Sequence, residues 1–377
     1  MRKFLLLLLV LVALYLVLPK HIQMGLVHNF ANVGDYKLFS NDTLQKSSHP
    51  EPWNIAVNYN KKSPSEELLD MFKARKTCAF IVIQNGRIKY ENYWEDYNKS
   101  TISGSFSMAK TVNALLIGKL IEEGKISSVD DDVKKYVPEL TQVPPGELTI
   151  KDVMTMSAQF DWTESYWNIF SMTAESYYGD DLKTLMSNLE LRDKGEGEIW
   201  EYQSCCTQVL GYIIKNASRR SVADYAREKL WEPLGAENDA LWSKDNPKGI
   251  QKSFCCINAT ARDFARLGQL VLQQGNWKGK QLIDSAWIAE MTAPDTDLKD
   301  ENGNIVDWYG YQMWMINYKG HHIPYFRGIL GQFIFVIPDK DAVVVRLGKK
   351  IKKDPKDPHM QNNDIRNYIE AGLQVLE

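Results

Sequence analysis

A serine and a lysine lie one helical turn apart at the predicted start of a helix. Ser107 and Lys110 are followed by apolar residues at helical spacing from Val112 to Ile121, so both side chains should lie on one face. A serine hydroxyl becomes a nucleophile when a base takes its proton, and a lysine kept neutral by burial can be that base. Backbone NH groups at the helix start would stabilise the developing negative charge. The spacing predicts nucleophilic catalysis by Ser107; the alternative is a helix-capping serine beside a solvated lysine.

The composition is that of an ordinary globular protein. The 377 residues are 44% hydrophobic and 25% charged, which is enough for one large domain or two lobes. A formal net charge of −3 gives no basic surface of the kind that binds nucleic acid. His321 and His322 are too few and too isolated for a zinc site. The sequence therefore predicts no nucleic-acid partner, no metal and no cofactor.

The N-terminus has the layout of a secretion signal. Arg2 and Lys3 precede an unbroken apolar run at residues 4–18, which is short for a membrane span. No small-x-small cleavage site follows closely, so a signal anchor at residues 1–20 is favoured over a removed signal peptide. Either interpretation places the rest of the chain outside the cytoplasm, in the periplasm. The signal anchor adds the inner membrane as a partner through residues 4–18. The alternative is a buried first helix, which the lack of a polar face opposes.

The five cysteines fit an oxidising compartment, although their number is odd. Four of them form two vicinal pairs, Cys205–Cys206 and Cys255–Cys256. Both pairs fall in segments that we expect to border the active site, so we predict one disulfide between a member of each pair. The alternative is that these thiols pack as small buried apolar groups.

The order of the predicted elements indicates one sheet built from both ends of the chain. Residues 21–70 are polar with little periodicity and predict a linker and N-terminal extension. A β-hairpin follows, with Asn85–Gly86 as its turn. Residues from about 122 to 290 show mainly helical spacing, strands return between residues 308 and 347, and a helix closes the chain. This order predicts an α+β fold with a helical lobe inserted into the sheet domain.

Five segments, in this order, resemble the motifs of the serine β-lactamase and penicillin-binding protein superfamily. They are Phe106–Lys110, Leu148–Ser157, Trp200–Ser204, Phe254–Gly268 and Gly328–Gln332. The chain is most similar to the class C-related serine hydrolase branch, which is 6-aminohexanoate-dimer hydrolase-like and esterase-like. The resemblance implies the β-lactamase/transpeptidase-like fold over residues 71–377, with an antiparallel sheet flanked by helices.

The resemblance also implies roles for individual residues. Ser107 would be the acylated nucleophile, and Lys110 its general base or the partner that keeps the base poised. Tyr202 would be the second acid/base group, which passes a proton to the leaving group and activates water in deacylation. The backbone NH groups of Ser107 and Ile329 would form the oxyanion hole. The implied substrate-binding residues are Tyr166, Asn258 and Gly328.

One position departs from the family pattern. Many relatives carry Lys-Thr-Gly or His-x-Gly on the strand of the last motif, where this chain has Phe326, Arg327 and Gly328. A strand lysine or histidine helps to hold a substrate carboxylate, so the change weakens the case for a β-lactamase or D,D-peptidase. Arg327 either replaces that cation or lies on the surface.

We therefore expect a metal-free and cofactor-free serine hydrolase that cleaves an ester or amide bond of a small molecule or peptide through an acyl-enzyme. One alternative is a catalytically silent protein that binds peptidoglycan or a peptide through the same cleft, because a fold does not fix a function. The other is a β-lactamase or D,D-peptidase.

Overall fold

The computed structural model describes residues 1–192, 197–352 and 361–376. The predicted domain 71–377 also contains residues 193–196 and 353–360 and Glu377, which lie outside the described residues. The helices are α1 (Arg2–Val17), α2 (Lys20–His28), α3 (Glu66–Ala74), α4 (Met108–Glu122), α5 (Ile150–Met154), α6 (Met172–Tyr178), α7 (Leu182–Ser187), α8 (Ser204–Ser218), α9 (Val222–Ala226), α10 (Ala261–Leu272), α11 (Ser285–Met291) and α12 (Asn363–Leu376). The strands are β1 (Ser40–Leu44), β2 (Asn54–Ile55), β3 (Thr77–Gln84), β4 (Arg87–Tyr93), β5 (Ser103–Gly104), β6 (Ala240–Lys244), β7 (Ile257–Ala259), β8 (Asn276–Trp277), β9 (Lys280–Gln281), β10 (Trp314–Tyr318), β11 (His321–Gly328), β12 (Gln332–Ile337) and β13 (Ala342–Gly348).

Seven strands form the main sheet, in the order β10-β11-β12-β13-β3-β4-β2. Neighbouring strands are antiparallel except β2 and β4, which are parallel. The predicted hairpin is confirmed, since β3 and β4 meet at Asn85 and Gly86, whose φ angles of 51° and 66° suit a type I′ turn. Because β13 pairs with β3, the prediction of one sheet built from both ends of the chain is confirmed as well.

Helices cover both faces of this sheet. A Cβ on Gly268 of α10 would lie 2.5 Å from Ile334 and 2.7 Å from Val343, whereas a Cβ on Gly372 of α12 would lie 2.5 Å from Val344. Successive residues of a strand point to opposite faces, so the contacts of Val343 and Val344 place α10 and α12 on opposite sides. The fully buried strands β12 and β13 are therefore the middle layer of an α+β fold, as predicted.

A second sheet, in the order β1-β6-β7-β5, connects the N-terminal extension to the strand before Ser107. β1 pairs with β6, and β7 pairs with both β6 and β5. The region from about 122 to 290, predicted to be mainly helical, holds helices α5 to α11 and also strands β6 to β9. Those strands have two to five residues each, too few for an alternating pattern to be read from the sequence.

The segment 21–70, predicted to be a linker and N-terminal extension, packs against the rest of the fold at several points. It holds most of α2 together with β1, β2 and the start of α3. Phe39 packs edge-on against Tyr177 with 5.3 Å between ring centroids, and Phe30 packs against Trp167 at 4.8 Å. These elements are short and their partners are distant in sequence, so local periodicity does not reveal them.

The apolar run at residues 4–18 forms most of α1. Phe4 and the leucine and valine side chains of α1 are between 47% and 78% exposed, so α1 is not the buried first helix of the alternative interpretation. In the described parts of the chain, no helix has both the length and the apolar character of a membrane span. The membrane partnership of residues 4–18 stays a prediction.

The predicted disulfide between the two vicinal cysteine pairs is wrong. Cys255 and Cys256 are bonded to each other, whereas Cys205 and Cys206 are free thiols, 1% and 0% exposed, at the start of α8. The free and buried thiols of Cys205 and Cys206 follow the alternative interpretation, whereas a bond within the pair Cys255–Cys256 follows neither interpretation. The choice depends on the local backbone around Cys256, whose φ is 73°, and the sequence does not reveal that conformation.

Replacing Gly118 by alanine should destabilise the fold by about 1–3 kcal/mol through overpacking. A Cβ on Gly118 of α4 would lie 2.2 Å from the indole ring of Trp287, which is itself held by a hydrogen bond from its Nε1 to the carbonyl of Ala114 at 3.1 Å. Helix propensity alone would favour alanine by about 1 kcal/mol, so destabilisation is diagnostic of the clash. Urea unfolding followed by circular dichroism measures the change.

The control is Gly34→Ala, because Gly34 has a φ of −98° and its nearest foreign atom would be 3.9 Å from the new Cβ. This variant should stay within about 0.5 kcal/mol of the wild type. A Gly118→Ala protein as stable as the Gly34→Ala protein would contradict the packing described for α4.

Candidate active site

A sharp strand-to-helix turn presents Ser107. This residue is the N-cap of α4 and comes just after β5. The preceding Phe106 has a φ of 45°, a left-handed conformation that costs energy for a bulky residue. Ser105 anchors the turn, since its NH donates to the carbonyl of Ile257 at 2.7 Å and its Oγ accepts from the NH of Ile257 at 3.2 Å. The small sheet thus fixes the backbone that carries the predicted nucleophile.

Lys110 extends from the first turn of α4 into a buried pocket. The residue is 2% exposed, and its Nζ donates to Ser204 Oγ at 3.1 Å and to the carbonyl of Phe254 at 3.2 Å. Burial lowers the Lys110 pKa to about 8, although the charge of Glu164 acts in the opposite direction. About half of the amine is therefore neutral at pH 8 and able to accept a proton. This burial excludes the alternative of a solvated lysine.

The Tyr202 phenol lies beside both groups. Lys110 Nζ is 5.3 Å from the centroid of the Tyr202 ring, and the Ser107 side chain is near enough to the phenol to affect its pKa. Burial raises the pKa of Tyr202 above its ordinary value of 10, although the nearby Ser107 side chain acts in the opposite direction. The phenol is therefore protonated at neutral pH and has a proton to give to a leaving group.

The end of β11 runs close to the turn that precedes Ser107. A Cβ on Gly328 would lie 2.2 Å from the carbonyl oxygen of Ser105, so a larger residue would push the two backbones apart. Ile329 comes next, at the start of a 3₁₀ turn, Ile329–Gly331. The contact brings the backbone of Ile329 to the turn that carries Ser107, which is the arrangement that the predicted oxyanion hole needs.

The two predicted substrate-binding side chains lie in different surroundings. Tyr166 is 40% exposed, and its hydroxyl donates to Glu164 Oε1 at 2.6 Å. Asn258 is buried on β7 opposite Gly104, and its amide donates to the carbonyl of Cys256 at 2.9 Å. The structure thus brings Tyr166 to the hydrogen-bond network around Lys110, whereas Asn258 supports the small sheet. A substrate contact by either residue stays a prediction.

Two residues that the sequence prediction did not name as site residues complete the network around Lys110. The Oγ and the backbone NH of Ser204 donate to Oε1 and Oε2 of Glu164, both at 2.8 Å. Glu164 Oε2 also accepts from Trp162 Nε1 at 2.7 Å. Ser204 is the last residue of the predicted motif Trp200–Ser204, so the sequence did contain a signal that it belongs to the site. Glu164 lies in a loop rich in aromatic residues, where nothing local distinguishes it.

Arg327 belongs to the site rather than to the surface. Its guanidinium carbon lies 4.5 Å from the centroid of the Trp314 ring, and its positive charge lowers the pKa of Tyr202. Its Nη1 atom is buried and has no hydrogen-bond partner among the described residues. The site therefore keeps a positive charge on the strand where many relatives have lysine or histidine.

Comparison with known proteins agrees with this geometry. The model of the family described as Beta-lactamase matches residues 66–364. The chain belongs to the β-lactamase family. The superfamily and the fold predicted from the sequence motifs are thereby confirmed.

Named relatives of this β-lactamase family member include hydrolases. The 6-aminohexanoate-dimer hydrolase of Paenarthrobacter ureafaciens is 26% identical over 321 residues, which cover 81% of this chain and 81% of that protein. A Bacillus anthracis protein proposed to be a 6-aminohexanoate-dimer hydrolase superposes with a TM-score of 0.74 and 21% identity over 92% of both chains. A penicillin-binding protein homologue from Caulobacter crescentus superposes with a TM-score of 0.61 and 18% identity over 82% of this chain and 96% of the other. The two superpositions show the fold, and the family supports a serine hydrolase in general.

The reaction rate of Ser107 should rise with pH through about 8 and level off above it. The reason is that the Lys110 pKa lies near 8 and a base must be neutral before it can accept a proton. Lys110→Arg should lose on the order of 10²- to 10⁴-fold in rate, because arginine does not deprotonate. The measurement is the initial rate of nitrophenyl ester hydrolysis between pH 6 and pH 10.

The matched control is Lys119→Arg on the same helix, where the side chain pairs with Glu122 at 2.7 Å. It should keep the wild-type rate and pH profile. A Lys110→Arg protein with wild-type rates would remove Lys110 from the role of base.

Proposed function

We propose that this member of the β-lactamase family is a serine hydrolase that cleaves ester or amide bonds through a Ser107 acyl-enzyme. The observation that carries the proposal is the meeting of three groups at the start of α4: the Ser107 hydroxyl, a Lys110 amine buried enough to be neutral near pH 8, and the protonated Tyr202 phenol. These groups are a nucleophile, a base and an acid.

The acylation step follows from the chemistry of these groups. The neutral Lys110 amine takes the Ser107 proton while Oγ forms a bond to the substrate carbonyl carbon. The negative charge that develops on the carbonyl oxygen is stabilised by the backbone NH groups of Ser107 and Ile329. Tyr202 gives its proton to the departing alcohol or amine, and the proton held by Lys110 restores the phenol.

Deacylation uses the same groups in reverse. Water takes the place of the leaving group and its oxygen attacks the acyl carbon. Its proton passes to the neutral Lys110 amine through the Tyr202 phenol, which gives one proton to the amine as it takes one from the water. The tetrahedral intermediate collapses, the bond to Ser107 Oγ breaks, and Oγ recovers a proton. No metal or cofactor takes part in this scheme.

The proposed substrates are small molecules or peptides that carry an ester or amide bond. Support comes from the relative named for hydrolysis of the 6-aminohexanoate dimer. The aromatic loop beside Glu164 adds apolar contact area, since Tyr166, Trp167 and Phe170 are 40%, 60% and 75% exposed.

A second candidate, a β-lactamase or D,D-peptidase, draws its support from Arg327. Its guanidinium stacks on Trp314 at 4.5 Å and has a buried Nη1 without a partner among the described residues. Such a group can donate hydrogen bonds to a substrate carboxylate. The silent-binder alternative has no observation in its favour, because the serine, the lysine and the tyrosine are all present and the lysine lies beside the tyrosine ring.

Exposure to a fluorophosphonate should add one adduct to the wild-type protein and none to Ser107→Ala, because only an activated serine attacks phosphorus quickly. Intact-protein mass spectrometry measures the adduct. Ser100→Ala, which removes an exposed hydroxyl, is the control and should label like the wild type. The proteins that form the adduct are then assayed with nitrophenyl esters, aminohexanoate amides and a chromogenic cephalosporin. Turnover of these substrates separates an ester or amide hydrolase from a β-lactamase or D,D-peptidase. An unlabelled wild type would leave the silent binder as the better account.

We also propose that residues 4–18 direct the chain to the periplasm and hold it at the inner membrane. The support is the apolar run behind Arg2 and Lys3, with side chains exposed along α1. Expressed in a bacterial host, the full chain should fractionate with the periplasm or membrane, and a chain lacking residues 2–18 with the cytoplasm. Recovery of both proteins from the cytoplasm would contradict the proposal.

A further inference from the structure

We propose that Glu164 is a positioning residue that acts through Ser204 to hold the Lys110 amine with its lone pair free for Ser107. The inference rests on the proposed function, because it takes Lys110 as the base. It adds a residue outside the three that the family motifs indicate. The argument follows the hydrogen bonds outward from Glu164 to Lys110.

Four donors fix the Glu164 carboxylate. Oε1 accepts from Ser204 Oγ at 2.8 Å and from the Tyr166 hydroxyl at 2.6 Å. Oε2 accepts from the backbone NH of Ser204 at 2.8 Å and from Trp162 Nε1 at 2.7 Å. A carboxylate offers about four acceptor positions, so its capacity is fully used. Two of the four bonds go to one residue, which fixes both the backbone and the side chain of Ser204.

This arrangement sets the direction of the Ser204 hydroxyl. An ionised carboxylate accepts hydrogen bonds and cannot donate them, so Ser204 must use its single proton on Glu164. The lone pairs of Ser204 Oγ are then left for Lys110 Nζ, which lies 3.1 Å away. Ser204 therefore acts as an acceptor toward the lysine.

The consequence for Lys110 follows from the valence of a neutral amine. Such an amine has two N–H bonds and one lone pair. Ser204 Oγ and the carbonyl of Phe254 accept the two N–H bonds, at 3.1 and 3.2 Å. The lone pair remains for the Ser107 hydroxyl, one helical turn away on α4. If Glu164 were lost, the Ser204 hydroxyl could turn and donate to that lone pair, in competition with Ser107.

The charge of Glu164 has an effect of its own. It raises the Lys110 pKa, against the larger lowering caused by burial. Among the described residues, the other titratable or charged groups that face Lys110 or Tyr202 are Cys205, Cys206, Arg327, Tyr166 and Tyr309. Removing the carboxylate charge should therefore lower the Lys110 pKa further, so that the base forms at lower pH although it is less well aligned. Loss of a residue with a merely structural role would not change the pH at which the Lys110 amine becomes neutral.

The first test is the pH profile of ester hydrolysis in four variants: Glu164→Gln, Ser204→Ala, the double variant and Glu175→Gln. Glu164→Gln should lose about 10- to 100-fold at high pH, and its rising limb should move to lower pH. The double variant should be no slower than the slower single variant, because both changes break one relay. Glu175→Gln removes a carboxylate from α6, in the same region, and should keep the wild-type profile.

The second test needs no turnover. The ¹³Cε signal of Lys110, assigned by its loss in Lys110→Arg, is titrated by NMR in the wild type, Glu164→Gln and Glu175→Gln proteins. We expect a lower midpoint in Glu164→Gln and an unchanged one in Glu175→Gln.

A Lys110 titration midpoint in Glu164→Gln that equals or exceeds that of the wild type would overturn the inference. A rate loss in the double variant equal to the product of the two single-variant losses would overturn it as well. Thermal melts identify a variant that is unfolded, in which case Ser204→Ala supplies the comparison. A wild-type protein that forms no fluorophosphonate adduct would count against the proposed function, whereas the NMR titration would still decide the effect of Glu164 on Lys110.

Discussion

The burial of one amine, that of Lys110, is the constraint on which the rest of the site depends. A charged ammonium out of contact with water is costly, so burial favours the neutral form. The cost is limited by two acceptors, Ser204 Oγ and the carbonyl of Phe254, and by the nearby charge of Glu164. These opposing effects leave the pKa at about 8, close to the pH at which a base and its conjugate acid are both useful.

Several distant parts of the chain must meet for this pocket to exist. α4 brings Ser107 and Lys110, the start of α8 brings Ser204, and the loop before β7 brings Phe254. That loop is itself held by the indole of Trp242, whose Nε1 donates to the carbonyls of Lys252 and Cys255 at 3.1 and 3.2 Å. The two sheets thus act as a rigid frame for short loops that carry the chemistry.

The features that sequence could predict are those with a local cause. The spacing of Ser107 and Lys110 follows from one helical turn, and the Asn85–Gly86 turn follows from the backbone conformations that those residues allow. Glu164, in contrast, acquires its role by contact with Ser204, 40 residues away. Strand β1 likewise depends on β6, where Ser40 pairs with Lys244. The bond between Cys255 and Cys256 also depends on a backbone conformation that the sequence does not predict.

The main sheet has a consequence for the order in which the chain can fold. Thr77 of the interior strand β3 pairs with Gly348 of β13, the central strand, so one part of the sheet is synthesised early and the other late. Until β13 exists, the hairpin β3–β4 presents an apolar strand with an unpaired edge, which is prone to associate with other chains. Such non-local pairing makes folding slow. A chain exported across a membrane could therefore complete its sheet only after its last strand had crossed.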